Sequence, residues 1–252
     1  MTLQLQNKII CGDFYQELLK IKMKTIDAII TDLPYNITSN KWESELDLSK
    51  MWDLIHHVLK DTGVFITTAS QPFSSKLVCS NEKEFRHEWI WIKNQGGNFA
   101  NTVREPMKEH ESVLVFSKGK WKYNKQMQSR TGAGLDRTKY DLNWESKSTN
   151  YREFDGRNGN KIPELRVPST WQKFNVEKGL HPTQKPVKLF EYIIKTYTDE
   201  SDVILDPCAG SGTTAIACIN TNRNYICIEK DENYFNIMKN RITDATRCEG
   251  LK

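Results

Sequence analysis

Residues 202 to 214 read DVILDPCAGSGTT: an apolar, β-branched run ends at Asp206, passes through a turn of small residues and enters a helix near Gly212. A strand fed into a helix in this way commits a chain to an α/β fold, in which helices cover both faces of a mostly parallel sheet. The flanking sequence repeats the alternation. Ile26 to Thr31 is a short β-branched run, and Leu48, Met51, Trp52, Ile55, Val58 and Leu59 then fall at helical spacing over 48–60. Gly63 is expected to stop that helix and to open a strand, GVFITT. WIWIK at 89–93 and SVLVF at 112–116 also have strand character. Val187, Phe190, Ile193, Ile194 and Tyr197 line one helix face, and a helix near 212–221, a strand YICIE at 225–229 and a last helix to about Ile242 close the series. With 252 residues the chain can bury one large core, so residues 1–252 are expected to form a single domain.

The middle of the chain departs from this alternation. Lys118 to Gly179 carries Gly, Asn, Ser and Pro with little periodicity, and a loop region of that length inside a compact domain is usually functional. Residues 118–180 hold 14 Lys and Arg against 7 Asp and Glu, which more than accounts for the whole chain's formal charge of +4. Trp121, Tyr123, Tyr140, Trp144, Tyr151, Phe154, Trp171 and Phe174 are interleaved with those charges. Basic groups neutralise phosphates and aromatic faces stack on bases, so the composition suits nucleic acid. A solvated, loop-rich insertion has the same composition, and composition alone leaves both readings open.

Other classes are disfavoured. Mean hydropathy is -0.64, and no apolar run nears the roughly 20 residues that cross a bilayer. The first ten residues lack a basic region followed by an apolar stretch, so a cytoplasmic location is expected. Cys11, Cys79, Cys208, Cys218, Cys227 and Cys248 form no CxxC pair and are expected to be buried, reduced thiols. The histidines, His56 and His57 among them, match no ligand spacing, and no metal site is expected.

In a doubly wound sheet the turn after Asp206 lies where a nucleotide-like ligand binds, and small residues let it approach the backbone. Glu229 ends the next strand, 17 residues beyond Gly212, where a carboxylate can accept from ribose hydroxyls. The turn has neither the lysine of a phosphate-binding GxxxxGK[ST] loop nor a GxGxxG pattern. Asp206-Pro207-Cys208-Ala209-Gly210-Ser211-Gly212-Thr213-Thr214 does resemble the DPFxGSGTT cofactor turn of amino-directed DNA methyltransferases, and HPTQKP at 181–186 resembles the segment that precedes it in them. The resemblance implies a Rossmann-like doubly wound fold in which the turn wraps the methionine part of S-adenosylmethionine and Glu229 holds its ribose. Thr183 and Lys185 would then lie near the methionine carboxylate. Cys208 stands where an aromatic is common, a departure expected to alter packing more than chemistry.

A second segment, Asp32-Leu33-Pro34-Tyr35, follows the strand-like run that begins at Ile26, so its side chains emerge at the carboxyl edge of the sheet. It is similar to the Asp-Pro-Pro-Tyr box of the same enzymes. An exocyclic amine is conjugated with its ring and poorly nucleophilic, so two acceptors must hold its hydrogens while the lone pair points at the methyl group. Asp32 would supply one acceptor and the Leu33 carbonyl the other. Pro34 restricts Leu33 to extended conformations, which aims that carbonyl. Tyr35 would stack on an extruded base, since the amine cannot be reached inside a duplex. Leucine replaces the usual first proline, and some loss of rigidity at Leu33 is expected. A third segment, Cys11-Gly12-Asp13-Phe14, resembles the family's Gly-Asp element, which implies that Asp13 accepts from the cofactor's adenine amino group with Phe14 alongside. As a residue, Asp13 is equally suited to cap a helix.

The order of these segments resembles that of the permuted β group of the amino-directed enzymes, with residues 118–180 as target-recognition region. The implied activity is transfer of a methyl group from S-adenosylmethionine to N6 of a flipped adenine in duplex DNA, without a covalent cysteine intermediate. A homodimer is compatible with the resemblance. N4-cytosine methylation uses the same geometry, although cytosine-directed relatives often carry serine where Asp32 stands. Methylation of RNA or single-stranded DNA also fits the basic, aromatic middle, and a relative that binds DNA without catalysis would share the fold.

Overall fold

The structure is a computed structural model and describes residues 6–34, 46–131, 164–180 and 183–249. Tyr35, Tyr140, Trp144, Tyr151, Phe154, His181 and Pro182 lie outside the described residues. By contacts the chain divides into two units, Met1–Asn124 with Thr170–Lys252, and Lys125–Ser169. In the second unit, β6 (Gln128–Ser129) pairs antiparallel with β7 (Leu165–Arg166).

The large unit is built on one eight-stranded sheet. Its strands are β1 (Lys8–Cys11), β2 (Ile26–Asp32), β3 (Leu59–Ala69), β4 (Phe85–Gly97), β5 (Lys108–Phe116), β8 (Trp171–Lys173), β9 (Val203–Asp206) and β10 (Asn224–Glu229). The spatial order is β1-β10-β9-β2-β3-β5-β4-β8. Pairing is parallel except on the two sides of β5. The expected doubly wound, mostly parallel α/β architecture is therefore present.

Side-chain alternation assigns each strand residue to one of two apolar layers. Ala28, Ile30, Val64, Ile66, Ile204 and Cys227 face one side, where they meet Leu189, Phe190, Ile193, Ile194 and Tyr197 of α4 (Val187–Tyr197) and the helix α5 (Thr213–Ile219). Ile29, Phe65, Leu205, Ile226 and Ile228 face the other, against Met51, Trp52, Leu54, Ile55 and Val58 of α2 (Leu48–Val58) and Phe73 and Leu77 of α3 (Phe73–Ser80). Each fully buried Leu, Ile or Phe is worth about 1.5–3 kcal/mol relative to exposure, so the two layers hold most of the stabilisation. α2 starts where Asp47 accepts a hydrogen bond from the Lys50 backbone N–H at 3.0 Å. A final helix, α6 (Glu232–Glu249), covers the end of the sheet and runs past the expected stop near Ile242, because the apolar stripe ends there while the helix continues on a solvated face.

Two expectations are corrected. Gly63 does not stop a helix: α2 ends at Val58, Leu59 already pairs with Ile26, and Gly63 lies within β3 beside an irregularity in the β2 pairing. Only glycine fits there, since a Cβ would sit 2.8 Å from the Asp27 carbonyl oxygen and 2.7 Å from Leu59 Cδ1. The cysteines are not uniformly buried. Cys218 and Cys227 are, but Cys11 at the end of edge strand β1 and Cys79 on the solvent side of α3 are exposed, and Cys208 is half-buried. Trp121 and Phe174, two of the aromatics of the basic stretch, are partly buried against the core, and the Phe174 backbone carbonyl accepts from the Trp91 indole N–H at 2.9 Å.

Replacing Gly63 by alanine is expected to destabilise the protein by roughly 1–3 kcal/mol through overpacking against backbone. A urea midpoint unchanged from wild type would contradict that close approach.

Candidate active site

The carboxyl ends of β2, β9 and β10 open into one cleft of about 1080 Å³. It is lined by Asp13 and Phe14, by Asp32, Leu33 and Pro34, by Thr183 and Lys185, by Asp206 through Ser211 with Thr213, and by Glu229. Segments from the two ends of the sequence thus share one cleft. Gly212 does not line it; this residue has φ 82 and packs against Met238, whose Cγ would lie 2.6 Å from an added Cβ. Its conformation and this close approach explain why glycine is needed, and the role is to let the turn pass under α6.

Asp206 organises the turn. It is 3 % exposed, and its Oδ1 accepts from the Thr31 hydroxyl at 2.7 Å and from the Cys208 backbone N–H at 3.0 Å, while its Oδ2 accepts from the Thr214 hydroxyl. Burial nevertheless dominates and pushes the carboxyl up to about 6. The Ala209 N–H bonds to the Ile228 carbonyl at 2.9 Å and the Gly212 N–H to the Ala209 carbonyl at 2.8 Å, which closes the turn against β10. Gly210, at φ 52, donates its N–H to Glu229 Oε2 at 2.7 Å, and the Asp231 N–H donates to Oε1 at 2.8 Å. Glu229 is raised from its ordinary value by burial, offset in part by these backbone donors. The Cys208 thiol is pushed well up by burial with nearby carboxylates adding to it, so it is a neutral packing group.

Asp13 caps α1 (Phe14–Glu17), accepting from the Tyr15 N–H at 2.9 Å, and also pairs with Lys230 at 3.0 Å. Capping and lining the cleft are thus compatible: the short helix presents the Phe14 ring, stacked on Tyr15 with centroids 4.1 Å apart.

Asp32 ends β2. Its Oδ1 accepts from the Thr68 hydroxyl on β3, and its Oδ2 from Lys185 Nζ at 2.5 Å. Lys185 is 7 % exposed, and its own carbonyl accepts from the Thr213 hydroxyl at 3.2 Å, tying the 183–186 segment to the glycine turn. The Leu33 side chain is 3 % exposed in the apolar layer under α2. Burial supplies the rigidity that the missing proline ring would have given.

Sequence reasoning missed Thr31, Thr68, Lys93 and Glu111. Lys93 on β4 and Glu111 on β5 form an ion pair beside Lys185 and line the cleft. The signal was in KEHES, a polar continuation of SVLVF, but apolar pattern alone begins the strand at Ser112 while β5 begins at Lys108. Among the described residues no cluster of His, Cys, Asp and Glu could hold a metal ion, and no helix is long and apolar enough to cross a membrane.

The raised Asp206 carboxyl makes a pH prediction. It holds its proton to higher pH in the folded protein than at its ordinary 3.8, so its contribution to stability falls as pH rises from about 4 to about 6 and is flat above. The unfolding free energy of wild type relative to D206N should therefore drop by roughly 3 kcal/mol across that interval. Parallel pH profiles for the two proteins in urea melts would refute this.

Residues 26–240 match the DNA methylase family of N6 and N4 methyltransferases. The Type II methyltransferase M.HindIII of Haemophilus influenzae is 39% identical, with 92% of this chain and 93% of that protein covered. The DNA adenine methyltransferase YhdJ of Escherichia coli is 28% identical over 94% of this chain and 83% of its own length. The crystal structure of the M1.HpyAVI complex with S-adenosylmethionine (SAM) superimposes with a TM-score of 0.61 at 26% identity, covering 93% and 98% of the two chains. The match of family and fold, centred on a cleft with a glycine turn on one wall and Asp32 on another, means that the chain belongs to the N6/N4 DNA methylase family and is a DNA methyltransferase that uses S-adenosylmethionine.

Proposed function

We propose that the protein methylates N6 of an adenine extruded from duplex DNA, with Asp32 and the Leu33 carbonyl as the acceptors for the amino hydrogens. The observation that carries this reading is the position of Asp32: it ends the strand next to the one bearing Asp206 and shares its cleft with the glycine turn. S-adenosylmethionine, when bound, supplies an electrophilic methyl group on its sulfonium. The residues present suit that cofactor. Glu229 offers carboxylate lone pairs for a ribose, Asp13 an acceptor and Phe14 a ring face for an adenine, and Lys185 with Thr183 a cation and a hydroxyl for a methionine carboxylate.

On the substrate side, Asp32 and Leu33 hold the amine so that its lone pair, freed from conjugation, points into the cleft. The amine nitrogen forms the new N–C bond as the C–S bond breaks, and its proton leaves to Asp32 or solvent. The neutral Cys208 thiol has no attacking role in this scheme. Tyr35, outside the described residues, is assigned the stacking contact with the extruded base. The basic and aromatic stretch 118–180 is assigned to target recognition, and two copies of the chain are compatible with the scheme. Adenine is favoured over cytosine by the acidic residue at position 32 and by the similarity to the DNA adenine methyltransferase YhdJ.

Incubation with DNA and labelled S-adenosylmethionine, followed by digestion to nucleosides, should give N6-methyladenine. N4-methylcytosine, or label only on RNA or single strands, would replace this reading. D32A should lower kcat at least a thousandfold while changing cofactor affinity less than fivefold, because the lost acceptor acts mainly in the transition state. A parallel loss of cofactor binding in a titration would instead make Asp32 an anchor for the cofactor.

A further inference from the structure

The Asp32 carboxylate is already engaged on both oxygens, by Thr68 and by Lys185 Nζ at 2.5 Å. An ammonium at that distance takes one lone pair of Oδ2 and draws electron density from the carboxylate, which weakens the lone pairs left for an incoming amine. Withdrawal of Lys185 would therefore make Asp32 a stronger acceptor for an amino hydrogen. Lys185 is almost fully buried, and a buried cation that leaves its counterion without finding another is strongly disfavoured.

A second counterion waits beside it. Glu111 Oε1 is held by Lys93, but Glu111 Oε2 is buried with no hydrogen-bond partner among the described residues and lies 3.5 Å from Lys185 Nζ. That separation is an ion-pair contact just short of a hydrogen bond, within reach of one lysine rotamer adjustment. The four groups Lys93, Glu111, Lys185 and Asp32 sum to zero charge, so moving the ammonium from one carboxylate to the other leaves the cluster neutral. The anchor points are fixed: Glu111 sits on β5 opposite Trp91, and the Lys185 backbone is held by Thr213. A buried acceptor left unsatisfied is costly in a structural ion pair, and its presence is explained if it is filled during turnover.

We propose that Glu111 is a positioning residue that receives Lys185 when the target amine reaches Asp32, so that Asp32 is occupied by lysine in the empty site and released as an acceptor in the substrate complex. This rests on the assignment of Asp32 as amine acceptor; a methionine carboxylate bound at Lys185, as assigned above, is a further anion to which the same ammonium turns on leaving Asp32.

The test uses E111Q, which keeps the side-chain shape and removes the charge, and E111D, which keeps the charge on a shorter arm. Duplexes built on the mapped methylation site carry at the target either adenine or purine, which lacks the amino group. Wild type should bind the adenine duplex more tightly than the purine duplex. E111Q should lose most of that preference and at least tenfold in kcat, with S-adenosylmethionine affinity and melting temperature close to wild type. E111D should recover part of both. E111Q with wild-type kcat and wild-type preference overturns the proposal, as does a loss spread equally over cofactor affinity, stability and turnover, which would make Glu111 merely structural. If wild type itself forms no methylated base or shows no preference for the amino group, the assignment of Asp32 fails and not the relay alone.

Discussion

The cleft depends on the buried carboxylate of Asp206. Its donors come from three places: the Thr31 hydroxyl on β2, the Cys208 amide in the turn and the Thr214 hydroxyl in α5. Thr31 immediately precedes Asp32, so the hydrogen bond that closes the glycine turn also fixes the register of the residue on the opposite wall. Burial of this group is costly, as its raised pKa records, and the cost is offset in part by satisfying both oxygens. A hydrophobic residue could fill the same volume, but it could not hold two segments separated by 175 positions in one orientation.

From that centre the two halves of the cleft differ in electrostatic character. Toward β10, Glu229 is held by backbone amides from the turn and from the start of α6, a pre-organised acceptor that needs no further rearrangement. Toward β4 and β5, two lysines and two carboxylates share a cluster in which one oxygen has no hydrogen-bond partner among the described residues. The first arrangement suits a ligand that is bound much the same way throughout. The second suits a group that must change partners within a turnover.

Much of this was readable from residue pattern because parallel strands buried on both faces leave dense apolar runs, and because strand ends bearing Asp32, Asp206 and Glu229 must converge at one sheet edge. What was not readable was set by contacts across the sheet. Gly63 resembles a helix stop by itself, and only the approach of the Asp27 carbonyl shows that it belongs inside a strand. Trp121 and Phe174 share the composition of base-stacking aromatics, yet each is partly buried against the core of the sheet. Glu111 and Lys93 lie on the polar ends of strands whose apolar halves alone give a periodic signal, so their meeting with Lys185 is a consequence of the antiparallel β4–β5 pairing. Leu33 breaks the expected proline pattern, and its anchoring by burial appears only when α2 is packed over it.

The most direct measurement is a crystal structure of the protein with S-adenosylhomocysteine and a duplex containing its methylation site. The expected result is an adenine turned out of the helix, its amino nitrogen within hydrogen-bonding distance of the Asp32 carboxylate and the Leu33 carbonyl and facing the sulfur of the cofactor product. A base held away from Asp32, or a cofactor product bound away from the Asp206 turn and Glu229, would contradict the central assignment.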